Sequence, residues 1–141
     1  MGRIDLGRVL IGGVVAGIII DIFEFVLNGW FLAGQWSDVM ASLNRAPVGT
    51  SEIIAFNIIG LVTGIAVVWT YAAIRPRFGI GPGTAFIAAL LTWIVGYVLA
   101  DAPPAIMGIF PLKMVCIMIA VGLVEIVAAT MAGAWLYREG E

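Results

Sequence analysis

Long apolar runs, broken by short clusters of glycine, proline and charge, organise this sequence. Four runs, at about 6–32, 51–74, 84–100 and 112–137, approach or exceed the roughly 20 residues that a bilayer span needs. They predict helices, because they are far longer than barrel strands and lack period-two alternation. Thr50 is placed to cap the second helix, with Glu52 in its first turn near the positive end of the dipole. Arg75-Pro76-Arg77 is expected to stop that helix, since Pro76 disfavours helical backbone at Arg75. Gly79-Ile80-Gly81-Pro82-Gly83 reads as a tight turn. It has the glycines of a phosphate loop but neither the preceding strand nor the following lysine. Pro103-Pro104 is expected to end the third helix, and Pro111 suits the start of the fourth.

Between the first two spans, Trp36, Val39, Met40 and Leu43 recur at helical spacing, with Ser37, Asp38 and Ser42 between them. That pattern predicts a short amphipathic helix lying in the headgroup region, as an anchor or as a lid over a cavity.

Composition agrees with a lipid-covered exterior. The chain is 62% hydrophobic and 11% charged, against about a quarter charged in soluble domains, so a water-facing surface cannot be built from it. We read residues 1–141 as a single transmembrane domain. A net charge of −2 gives no reason to expect nucleic-acid binding. Histidine is absent, which removes His-ligated haem and zinc and the usual neutral-pH base. The single cysteine, Cys116, excludes an internal disulfide or CxxC site and is expected to pack as a small buried hydrophobe. No cofactor and no metal centre are expected. The N-terminal apolar run is read as a retained span rather than a signal peptide, because Asp21 and Glu24 interrupt it. Leu6 breaks the myristoylation pattern.

Lys and Arg set an orientation. Arg3, Arg8, Arg75, Arg77 and Arg138 fall on one side, Arg45 and Lys113 on the other, so both termini are expected in the cytoplasm. Trp30 and Trp36 then mark the outer interface, and Trp69, Tyr71, Trp135 and Tyr137 the inner one.

Asp21, Glu24 and Glu125 carry the chemistry, because each lies within a span. An acid at mid-bilayer costs roughly 2.5–3.5 kcal/mol on insertion scales, so it should face protein. At about 100° per residue, Gly13, Gly17, Asp21, Glu24, Asn28 and Gln35 share one stripe about 80° wide. Small residues permit close helix approach, and polar ones need a neighbour to bond. The second span offers Asn57, Gly60 and Gly64, and the third Ala88, Thr92, Gly96 and Ala100. The fourth offers Met114, Met118, Gly122, Glu125, Ala129 and Ala132. These faces predict a four-helix bundle packed on Gly13, Gly17, Gly60, Gly64 and Gly96, around a polar centre of Asp21, Glu24, Asn28, Asn57 and Glu125.

No Lys or Arg lies mid-span to neutralise three acids. At least one acid is therefore expected to hold a proton, or a cation is bound. Asp5, Asp38, Glu139 and Glu141 read as solvated charge, and Asp101 as a solvated helix-end acid or, alternatively, one facing the outer vestibule. Trp93 and the methionines read as packing residues. Three functions follow. One is a structural or accessory membrane protein, associating with itself or with a membrane-protein partner. The second is a small proton- or cation-linked transporter using Asp21, Glu24 and Glu125. An enzyme is the third, but no nucleophile–base pair supports one and no catalytic residue is assigned.

The run from Ile22 to Gly29, the run from Tyr71 to Gly79, Gly122-Leu123-Val124-Glu125 and the run from Ala132 to Tyr137 resemble those of uncharacterised four-span bacterial membrane proteins. The likeness covers nearly the whole chain and implies a multi-pass protein of the bacterial inner membrane. It implies no activity. Small multidrug transporters share four spans and an acid in the first, but their motifs are not found here, so the similarity is one of architecture.

Overall fold

The computed structural model describes residues 2–137. Arg138, Glu139 and Glu141, which entered the charge reading above, lie outside the described residues. All the regular structure among the described residues is helical, with no strand among them. Helix α1, Leu6–Val26, begins where Asp5 accepts the Arg8 backbone N–H at 3.1 Å, an N-cap of the usual kind. A π-helical turn, Leu27–Phe31, continues it and leads into α2, Ala33–Ser42. Helix α3 is Thr50–Phe78. Helix α4, Pro82–Trp93, passes through a second π-helical turn, Ile94–Val98, into α5, Leu99–Ile106. Helix α6 is Leu112–Leu136. Four helical stretches are long and apolar enough to cross a membrane: Leu6–Phe31, Thr50–Phe78, Pro82–Ile106 and Leu112–Leu136.

Several boundaries move from their expected places. Gly49, not Thr50, precedes α3, and Glu52 folds back to accept the Gly49 N–H at 3.0 Å. Helix α3 runs through Pro76 to Phe78 rather than stopping at 74. Proline in the last turn forfeits one backbone bond but has little helix after it to disrupt. Termination falls instead to Gly79, at φ 89°, whose N–H returns to the Arg75 carbonyl at 2.8 Å. Likewise Pro103 and Pro104 lie inside α5, and the helix ends only before Gly108, at φ 73°.

The four long stretches form a ring in which α1 packs on α3, α3 on α4, α4 on α6 and α6 back on α1. Small residues set the closest seams. A Cβ at Gly17 would stand 2.6 Å from the Leu61 Cα, one at Gly13 would collide with Ile65, and one at Gly64 would meet the Gly17 backbone. Methyl groups on this seam would force α1 and α3 apart. Gly12 and Gly133 make a comparable approach between α1 and α6. Gly96 is different: it is exposed, with nothing near the position of a Cβ.

Two apolar clusters result. The larger joins Ala16, Ile20, Val67, Val68, Ile126 and Ala129, among others, in the middle and at the Arg75 end of the bundle. There the Arg75 guanidinium is buried, 5.5 Å from the Tyr71 ring centre and 5.2 Å from that of Tyr137. The smaller cluster lies at the opposite end, where Leu27, Leu32, Val39 and Met114 are buried beneath α2. Trp36 packs edge-on to Phe110 with ring centres 5.2 Å apart. Around the ring, large apolar side chains such as Phe25, Ile59 and Trp135 stand exposed, the surface that acyl chains would cover. Cys116 is among the exposed residues rather than in the core. A lipid-facing position accepts a weakly polar thiol as readily as a core does.

Candidate functional site

Among the described residues Glu125 alone of the acids is buried, fully and in the middle of α6. Asp21 and Glu24 are half-buried, as are Asn28 and Asp101, and Asn57 is exposed. The residues proposed for one polar centre fall into two places. The reason is angular. Asp21 and Glu24 are about 60° apart around α1, enough to put Asp21 at the α3 seam and to turn Glu24 toward α6.

The first place is a line of side chains under α2. Trp36 donates its indole N–H to Asn28 Oδ1 at 2.9 Å. Asn28 donates its amide to Glu24 Oε2. Glu24 lies within hydrogen-bonding reach of Glu125. Tyr97 donates its hydroxyl to Glu125 Oε1 at 3.3 Å. The line thus ties α2 to α1, α1 to α6, and α6 to the turn between α4 and α5. The remaining oxygen, Glu125 Oε2, is buried with no donor when both acids are written as carboxylates. A proton on the Glu125 carboxyl would turn that oxygen into a donor and remove its charge. Asp101 also lies within electrostatic range of Glu24.

Tyr97 and Trp36 were not among the sequence candidates for this site. The signal for Tyr97 is a register change. The four-residue steps Ala88, Thr92, Gly96 and Ala100 assume unbroken α-helix, but the π turn Ile94–Val98 inserts one residue. One residue is about 100° of rotation. Gly96 and Ala100 swing outward and are exposed, while Tyr97 and Asp101 take over the inward face. Gly122 makes room for the Tyr97 ring, since a Cβ there would lie 2.8 Å from Tyr97 Cε1. Asn28 itself sits in the other π turn, Leu27–Phe31. Both interruptions of the α-helical ladder therefore place a member of the line.

The second place is a lateral groove of about 430 Å³, lined by Ile18, Asp21, Ile22, Phe25, Asn57 and Leu61. Asp21 rests against Gly60, whose missing side chain is what admits the carboxyl. Among the described residues, neither Asp21 nor Asn57 makes a hydrogen bond.

The line under α2 can hold a proton and fix helix positions, but its chemistry is narrow. Indole N–H groups donate only, and a carboxamide is a poor proton carrier, so Trp36 and Asn28 orient Glu24 without forming a proton wire. No group of three or more His, Cys, Asp or Glu side chains among the described residues is arranged to hold a metal ion. Comparison with protein-family models, with curated proteins and with solved structures finds no match. What the fold and site define is a class, a small all-helical protein with four apolar helices able to cross a membrane.

Proposed function

We propose that this chain is a non-enzymatic accessory protein of the bacterial inner membrane, in which one proton shared by Glu24 and Glu125 locks α1 to α6. Both termini lie in the cytoplasm on this reading, and α2 rests in the outer headgroup layer, closing that end of the bundle. The supporting observation is the apolar layer beyond the pair. Toward the Arg75 end, Ala16, Ile20, Val67, Val68, Ile126 and Ala129 are buried together. Thr130, the next buried polar side chain along α6, donates to the Ile126 carbonyl of its own helix at 2.6 Å. The polar line thus lies beneath α2 and dead-ends within the bundle, an arrangement suited to holding structure rather than passing ions.

A second reading, a proton- or cation-linked transporter working through Asp21, Glu24 and Glu125, is favoured by one observation. Asn28 and Tyr97 both stand in π turns, where a helix can shift register by one residue. Reconstitution into vesicles carrying a pH-sensitive dye separates the two. The accessory reading expects proton flux no faster than in protein-free vesicles, under sodium, potassium or amphiphilic-amine gradients alike. Gradient-driven flux that Glu125→Gln abolishes would replace it with the transporter.

A further inference from the structure

The groove beside Asp21 points to a second copy of the same chain. Over residues 51–59, the first third of α3, every position is exposed, and Asn57 is the one that borders the α1 groove. Ile53, Ile54, Phe56, Ile58 and Ile59 are all exposed on it, with Asn57 in their midst. Acyl chains can cover the apolar residues, but they offer nothing to Asn57 or Asp21. Both groups are without hydrogen bonds among the described residues, and both line the same groove. Unsatisfied amide and carboxyl groups at membrane depth are costly, and interhelical bonding is the usual remedy.

We propose that two copies pair through this face, each laying the exposed first third of α3 against the other's groove so that Asn57 of one donates to Asp21 of its partner. Two features favour a second copy over an unrelated helix. The surface carries its own complement: a projecting apolar helix bearing a donor lies beside a recess bearing an acceptor. A two-fold interface must be self-complementary in just this way, residue i meeting j while j meets i. A two-fold axis along the bilayer normal also preserves depth, and Asp21 and Asn57 share a depth because they line one groove. The two bonds therefore form together or not at all. This pairing is independent of the proton held by Glu24 and Glu125.

The test measures association in bilayers. Full-length chain, labelled at one site and reconstituted over a range of lipid dilutions, should show two photobleaching steps at high density and one on dilution. Asn57→Leu and Asp21→Leu should each weaken the dimer about eightfold, the loss of two interhelical hydrogen bonds of average strength. The double variant should be no weaker than either, because each single change already removes both bonds. Val124→Leu, at an exposed position on α6, should leave the constant unchanged. In a Cys116→Ala background, chains with Ile22→Cys mixed with chains with Ile54→Cys should cross-link on mild oxidation, and Val124→Cys chains should not. A monomer at every density, a dimer indifferent to both leucine changes, or cross-linking only through Val124→Cys would each overturn the proposal.

Discussion

Replacing Glu125 by glutamine should scarcely change the stability of the bundle, whereas replacing it by leucine should weaken it clearly. The carboxyl is fully buried, accepts from the Tyr97 hydroxyl on one oxygen and lies within reach of Glu24. Glutamine keeps an acceptor for the Tyr97 hydroxyl. Its amide N–H also takes the place of the proton that a neutral acid would offer Glu24. The expected change is within about 0.5 kcal/mol, the scale of an isosteric exchange that loses no bond. Leucine removes both interactions while nearly conserving volume. Interhelical hydrogen bonds in membranes average about 0.6 kcal/mol and reach about 1.7, so two of them amount to roughly 1–3 kcal/mol. Unfolding in a bilayer or bicelle, followed by tryptophan fluorescence, measures the difference directly. The same purified variants should differ in infrared absorption, with a protonated-carboxyl band present in wild type and missing in Glu125→Gln. If glutamine proves as damaging as leucine, the proton-sharing argument fails, because a charged Glu125 or a bound cation would then be the partner that matters.

Two further outcomes follow from packing. Gly64→Ala should destabilise by about 1–3 kcal/mol, since its methyl would press on the Gly17 backbone, while Gly96→Ala should stay within about 0.5 kcal/mol because nothing stands near it; parallel melts of the two variants make the comparison. Trp36→Phe keeps an aromatic against Phe110 but loses the donor to Asn28, so hydrogen exchange in α2 should rise while the four long helices stay protected; unchanged exchange would mean that packing alone holds α2 down.

The four stretches able to cross a membrane were legible because that capacity is a local property. Length and hydropathy settle it residue by residue, without reference to neighbours. The seam of Gly13, Gly17 and Gly64 was legible too, since small residues at four-residue steps mark where backbones approach. The proline stops were less so. Pro76, Pro103 and Pro104 are carried inside helices, and the chain turns on the positive φ of Gly79 and Gly108.

What only the tertiary structure decided is which way each polar group faces. In lipid the exterior and the interior of a bundle are equally apolar, so the pattern of apolar residues does not distinguish the inward side of a helix. A single residue inserted at Ile94–Val98 then exchanges Gly96 for Tyr97 at the centre, and hydropathy carries no trace of it. The same ambiguity let Asp21 and Asn57 be grouped with Glu24 and Glu125, whereas the structure sets them in a groove of their own between α1 and α3.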